Sequence, residues 1–290
     1  MKRIRNFLRK MFKTNTTQKV HYTLRIASAL CFMGHGIFGV ITRPVWCNYF
    51  AVFGIDHALS YQLMPVLGYV DIFFGLLILF YPVRAVVFWL VIWGFITALL
   101  RPLSGEPFPE FLERFGNFGA PLALLIISGG MKGNIKNWLS PIKTKRSITK
   151  KQLSELMIVL RLVIFFLLLG HGLLNVMGKK NLLDEYSMLG FIAPAETAMM
   201  IGLFEIVAAI TVFIRPLRQL ILLLFLWKMT SELFYPKYEI FEWIERSGSY
   251  GSILALWFAL DLISVHEIKS IPFKIYNYAQ SVSLTFKNRS

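Results

Sequence analysis

Apolar runs long enough to cross a bilayer, which takes roughly 20 residues each, alternate along this chain with short polar connections. Eight are read, at about 22–42, 63–81, 83–101 and 116–131, then at about 155–177, 195–214, 216–235 and 248–265. Gly116-Asn117-Phe118-Gly119 opens the fourth run and Gly129-Gly130 closes it, which predicts a shortened or tilted helix there. Pro82 and Pro216 stand where a third helix should start, a position at which a missing N–H costs nothing. The half-apolar stretches Pro44–Gln62 and Lys179–Glu196 are too short to span twice and are expected to lie in the outer interface. Trp46, Tyr49, Tyr61, Tyr186, Trp243 and Tyr250 fall at that level and are expected to form an aromatic belt.

The pattern occurs twice. Gly34-His35-Gly36 follows Leu24-Arg25 by the interval at which Gly170-His171-Gly172, 136 residues later, follows Leu160-Arg161. Gly68-x-x-Asp71 matches Gly202-x-x-Glu205, Trp93 matches Trp227, and Glu113-Arg114-x-Gly116 matches Glu245-Arg246-x-Gly248. The expected fold is an all-α polytopic membrane protein, with eight transmembrane helices in two parallel four-helix bundle repeats that pack together within one chain. The boundaries read as a basic amphipathic segment over 1–21, a first repeat over 22–131, a basic linker over 132–154, a second repeat over 155–265 and a basic tail over 266–290.

Composition agrees with a bilayer environment. Hydrophobic residues make up 56% of the chain and charged residues 16%, against about 45–50% and 25% in soluble domains, and mean hydropathy is +0.58. The net charge of +15 would suggest nucleic acid in a soluble protein. Here the basic residues cluster between apolar runs, so no nucleic-acid partner is expected. Met1–Lys19 and Lys132–Lys151 each hold seven basic and no acidic residues, whereas Arg101–Arg114 and Lys237–Arg246 each hold two basic and three acidic ones. The basic segments mark the inner face, attracted to anionic lipid, and place both termini in the cytoplasm. The first apolar run continues too far for a signal peptide, and no small-x-small cleavage site follows it. Cys31 and Cys47 lack redox-motif spacing, and no thiol relay is expected between them.

Ionisable groups inside apolar runs are expensive, so each is a functional candidate. Asp71 and Glu205 each lie 11 residues from Pro82 and Pro216, about 16 Å deep. His35 and His171 lie ten residues beyond Arg25 and Arg161, about 15 Å higher. Each arginine is expected to reach towards the carboxylate of its half. The stack reads either as a working site or as an ion pair that only fixes helix packing. The second half adds Lys228 and Glu232 on one helix face, where the first half has Gly94 and Ala98. Arg161, His171, Glu205, Lys228 and Glu232 are the candidate catalytic set, summing to zero charge with neutral imidazole. His171, Glu205, Lys228 and Trp227 are the candidate ligand-binding set. No metal site is expected, because no two histidines share a half and no metal-ligand spacing is present. Phosphate-binding glycine loops and nucleophile-elbow motifs are also absent from the sequence. The outer Glu113-Arg114 and Glu245-Arg246 pairs read as loop-ordering salt bridges. His171 is expected to be the working histidine and His35 mainly structural.

The Leu-Arg, Gly-His-Gly, midplane carboxylate and Glu-Arg-x-Gly elements together resemble the DoxX-like family of four-helix membrane proteins, most closely over Leu160–Pro216. The resemblance covers about 25–131 and 155–265, the first half looking like a diverged copy. It implies a polar site at Arg161, His171 and Glu205, with Arg25, His35 and Asp71 as counterparts. It also implies a membrane subunit of a quinone-linked oxidoreductase in a bacterial cytoplasmic membrane, with a separate soluble or membrane redox partner supplying electrons. The other open reading is a non-enzymatic carrier, transporter or assembly protein with an intramembrane polar ligand site.

Overall fold

The computed structural model describes residues 15–131, 133–234 and 240–263. Positions 1–14 of the predicted basic segment and the tail at 266–290 lie outside the described residues. The helices are α1 (Thr16–Val40), α2 (Trp46–Ala51), α3 (His57–Phe80), α4 (Arg84–Leu103), α5 (Pro109–Glu113), α6 (Phe115–Ile127), α7 (Ile135–Leu139), α8 (Lys150–Val176), α9 (Lys180–Met188), α10 (Pro194–Ile214), α11 (Arg218–Ser231), α12 (Ile240–Glu245) and α13 (Ser247–Ala259). No β-strand occurs among the described residues.

Five helices, α1, α3, α4, α8 and α10, are long and apolar enough to cross a membrane, which makes this a multi-pass membrane protein. α1 and α8 start at Thr16 and Lys150, earlier than the apolar runs suggest. Capping boxes, Asn15 with Gln18 and Thr149 with Gln152, satisfy the first backbone N–H groups and extend each helix into polar sequence. α4 and α11 begin at Arg84 and Arg218, two residues after Pro82 and Pro216. The prolines therefore lie in the turns ahead of these helices rather than in their first turns.

The shorter helices have a physical reason. α6 and α13 each have 13 residues and α11 has 14, about 20 Å of rise against a hydrocarbon core of about 30 Å. α5 and α6 are nearly continuous but break at Arg114, and α12 and α13 break in the same way at Arg246. Both arginines adopt the bridge conformation, with φ/ψ of −87°/8° and −77°/3°. Most of α6 and α13 is buried, so protein surrounds the helices that follow both interruptions.

α6 and α13 pack on each other and on both α1 and α8 at the centre, with α3 against α1, α10 against α8, α4 against α6 and α11 against α13. The two halves share one apolar core: Val20, Leu24 and Leu124 belong to the same cluster as Leu156, Leu160, Ile253 and Leu256. The outer helices turn Val66, Tyr69, Phe73, Val207 and Leu223 outward, an apolar surface suited to lipid.

The Gly-His-Gly motif makes these crossings possible. A Cβ on Gly36 would lie 2.5 Å from the Gly68 carbonyl oxygen, and one on Gly172 would lie 2.8 Å from that of Gly202, so the second glycine brings α3 or α10 into backbone contact. The first glycine faces the opposite half. A Cβ on Gly34 would lie 2.5 Å from the Glu245 nitrogen, and one on Gly170 would collide with the Glu113 nitrogen. Each histidine is thus set between its own half's carboxylate helix and the other half's broken helix.

Candidate functional site

His171 on α8 donates from Nδ1 to Glu205 Oε2 on α10. Glu205 is fully buried, and its other oxygen accepts from Trp227 Nε1 at 3.3 Å and lies 3.7 Å from Lys228 Nζ. Lys228, also buried, reaches Glu232 Oε1 at 3.0 Å, the i,i+4 pairing that the sequence predicts. Glu232 continues the chain of charges to Arg246, whose Nε stands 3.1 Å from Oε2, and Arg246 also pairs with Glu113. Six ionisable groups from five segments therefore form one buried network.

Two of them, Glu113 and Arg246, are absent from the candidate set read from sequence, and one member of that set is displaced. Arg161 donates to the carbonyls of Phe213 and Ile214 at the end of α10, and Arg25 donates to those of Ile78 and Leu79 at 2.9 and 2.7 Å. The expected Arg–carboxylate pairs do not form. These guanidiniums instead satisfy carbonyls that a helix end leaves without intrahelical donors, and they meet the negative end of its dipole. The histidines take the carboxylates. With three carboxylates (Glu113, Glu205 and Glu232) and two cations (Lys228 and Arg246), the network carries −1 with neutral His171 and zero with a protonated ring.

The Glu-Arg pairs are not loop ornaments. Arg246 pairs with Glu113, and Arg114 pairs with Glu245 at 3.2 Å, a reciprocal exchange between the halves. All four side chains are buried. The available signal was the Glu-Arg-x-Gly match, which places the same opposite charges twice beside glycine-rich apolar runs.

A cavity of about 220 Å³ opens beside this network, lined by His171, Glu185, Tyr186, Phe191, Trp227 and Glu232 among others. Glu205 and Lys228 stand behind its wall. Tyr186 is not part of an aromatic belt: it is buried and donates to Asn175 Oδ1 at 2.6 Å, while Asn175 Nδ2 donates to the His171 carbonyl at 3.0 Å. Tyr250 is buried as well, and Trp46 lies against the His35 ring with centroids 4.7 Å apart. Glu185, on α9 outside the long helices, is pushed up to about 7 by burial first and by the Glu232 carboxylate second. His171 Nε2 makes no hydrogen bond among the described residues, which leaves one ring nitrogen for a ligand.

Glu113, His171 and Glu232 bring potential ligand atoms within 4.8 Å of one another, a grouping that sequence spacing does not reveal. Arg246 and Lys228 already meet the charge of these carboxylates, so the donor set suits protein cations better than a metal ion. Cys31 and Cys47 are free and buried.

In the first half, His35 Nδ1 meets Asp71 Oδ2 at 2.8 Å. A second cavity, of about 210 Å³, adjoins it. No family model, curated protein or solved structure matches the chain.

Proposed function

We propose that the chain is a DoxX-like, quinone-interacting membrane subunit whose eight apolar stretches all cross a bacterial cytoplasmic membrane, with both termini in the cytoplasm. The observation that carries this reading is the His171–Glu205 dyad, whose imidazole lines an aromatic-walled cavity of about 220 Å³. A cavity of about 150 Å³ holds benzene, so the space suits a substituted ring. Trp227, Tyr186 and Phe191 flank the ring, while the Nε2–H of a protonated His171 and the carboxyl of a protonated Glu185 donate to its carbonyls. The quinone accepts electrons from a separate redox partner. Glu205 holds the imidazole in one orientation; the protonated ring gives its Nε2 proton and Glu185 its carboxyl proton to the two carbonyl oxygens as two electrons from the partner reduce the quinone to the quinol. Lys228 and Arg246 keep the surrounding carboxylates ionised and fixed, as a preorganised polar site requires.

Purified full-length protein should bind a decyl-substituted benzoquinone, and His171→Ala and Glu205→Gln should each weaken binding at this cavity by about tenfold or more, the weight of one charge-assisted hydrogen bond. Binding unchanged in both variants would remove the reading. The buried ion pairs that join the halves also suit a non-enzymatic carrier or assembly protein. Solute flux in liposomes that disappears in Lys228→Met, without quinone binding, would favour that class.

A further inference from the structure

The cavity beside His35 differs from its counterpart by two deletions. Lys228 and Glu232 of the second half correspond to Gly94 and Ala98 in the first, and Ala98 lines the His35 cavity. Removing an ammonium and a carboxylate together leaves the charge balance unchanged and opens space. It also changes what the neighbouring arginine can reach. Arg246 has a carboxylate 3.1 Å from its Nε, supplied by Glu232. Arg114, the equivalent residue, is buried and pairs through Nη1 with Glu245; neither its Nε nor that of Arg246 makes a hydrogen bond among the described residues, but on the Arg114 side no counterpart of Glu232 stands in the chain.

A second donor is left over for a related reason. Trp227 donates from Nε1 to Glu205 at 3.3 Å. Its counterpart Trp93 lines the His35 cavity, the equivalent carboxylate Asp71 is one methylene shorter than Glu205, and Trp93 Nε1 is buried with no hydrogen-bond partner among the described residues. An unsatisfied buried donor costs on the order of 1–3 kcal/mol, and two at one cavity call for an acceptor that the chain does not supply. His35 adds a third polar edge: Nδ1 is engaged by Asp71, and the ring stays partly exposed.

We propose that the His35 cavity is a second ligand site, which takes a neutral, ring-sized, carbonyl-bearing amphiphile. Its oxygen occupies the place that the Glu232 carboxylate fills in the other half, within reach of Arg114 and Trp93. Trp46, Tyr49 and Phe50 form aromatic walls. The volume of about 210 Å³ admits one substituted ring, by the same comparison with a cavity that holds benzene. A neutral ligand is favoured because Arg43, Arg101 and Arg114 already face Glu242, Glu106 and Glu245. The site stands on these residues alone and does not depend on the His171 cavity binding anything.

The test uses full-length protein in nanodiscs, with decyl-benzoquinone as the probe and decylbenzene, which lacks the carbonyls, as its control. Ala98→Glu supplies the missing carboxylate from within, and Ala98→Phe fills the space without charge. Both should abolish one class of probe binding that persists in His171→Ala, and decylbenzene should bind this site at least about tenfold more weakly. Probe binding lost in His171→Ala and untouched by both Ala98 variants would overturn the proposal, as would equal binding of decylbenzene. A protein that binds probe only at the Ala98-sensitive site would support this inference while removing the His171 reading.

Discussion

Arg246 is the residue on which the joining of the two halves can be measured. Its guanidinium touches Glu113 from the first half and Glu232 from its own, and its Nε lies 3.1 Å from the latter. Both carboxylates are buried, so Arg246→Met leaves Glu113 without its partner in the protein interior and Glu232 with Lys228 alone. Removing one partner of a buried pair costs about 3–5 kcal/mol, a large share of the roughly 5–15 kcal/mol that holds a typical protein folded. Arg246→Met is therefore expected to lose most of its folded population in detergent. Glu113→Gln alone should cost less, because Glu232 remains on Arg246. The double variant should be less unstable than the sum of the singles, with a coupling energy of at least about 1 kcal/mol between positions 133 residues apart in sequence. Denaturant titration of purified variants, read by tryptophan fluorescence and gel filtration, provides the numbers. Additive effects, or Arg246→Met within about 0.5 kcal/mol of wild type, would refute the crossed pairing.

Other expectations are smaller in scale. Arg161→Met removes a helix-end cap rather than a site residue, so it should cost about 1 kcal/mol of stability and leave probe affinity at the His171 cavity unchanged. Gly170→Val would drive a side chain into the Glu113 backbone, and it should destabilise far more than Gly190→Val, whose added Cβ meets open space, despite the backbone strain at that positive-φ position; equal melting shifts would contradict the close approach. Glu185 keeps, in the folded protein, a proton that the unfolded chain releases near 4.5, so stability should fall as pH rises from about 4.5 to about 7 and level off above, and Glu185→Gln should flatten that slope. A wild-type profile already flat across this window would show that the carboxyl is not held protonated.

Much of the fold is legible in the sequence because apolar run length reports span directly. The five long helices appear where their runs predict, and even the weak run after Gly116 shows up as a 13-residue helix. Helix starts were less legible: polar caps at Asn15 and Thr149 carry α1 and α8 beyond the apolar sequence. Asp71 and Glu205 are buried as their distance from Pro82 and Pro216 predicts, but histidines rather than arginines hold them. Rise per residue fixes height, not which helix stands opposite, and the arginines found helix-end carbonyls at a lower level. Tyr186 departs from the belt for a similar reason, since an aromatic residue in an interfacial stretch looks alike whether it meets lipid or turns inward to Asn175. The exchange of Glu113 and Glu245 between halves joins residues more than 130 positions apart, and one-dimensional periodicity carries no information about such contacts.

The most direct measurement of the central claim is photolabelling of membrane-embedded protein with an azido-quinone, followed by peptide mapping. The His171 cavity predicts label on the segments that hold Glu185 to Phe191 and Trp227 to Glu232, lost in His171→Ala and competed by unlabelled quinone. Label confined to the lipid-facing surfaces of α3, α4 and α10, or unaffected by His171→Ala, would contradict a quinone site at this dyad.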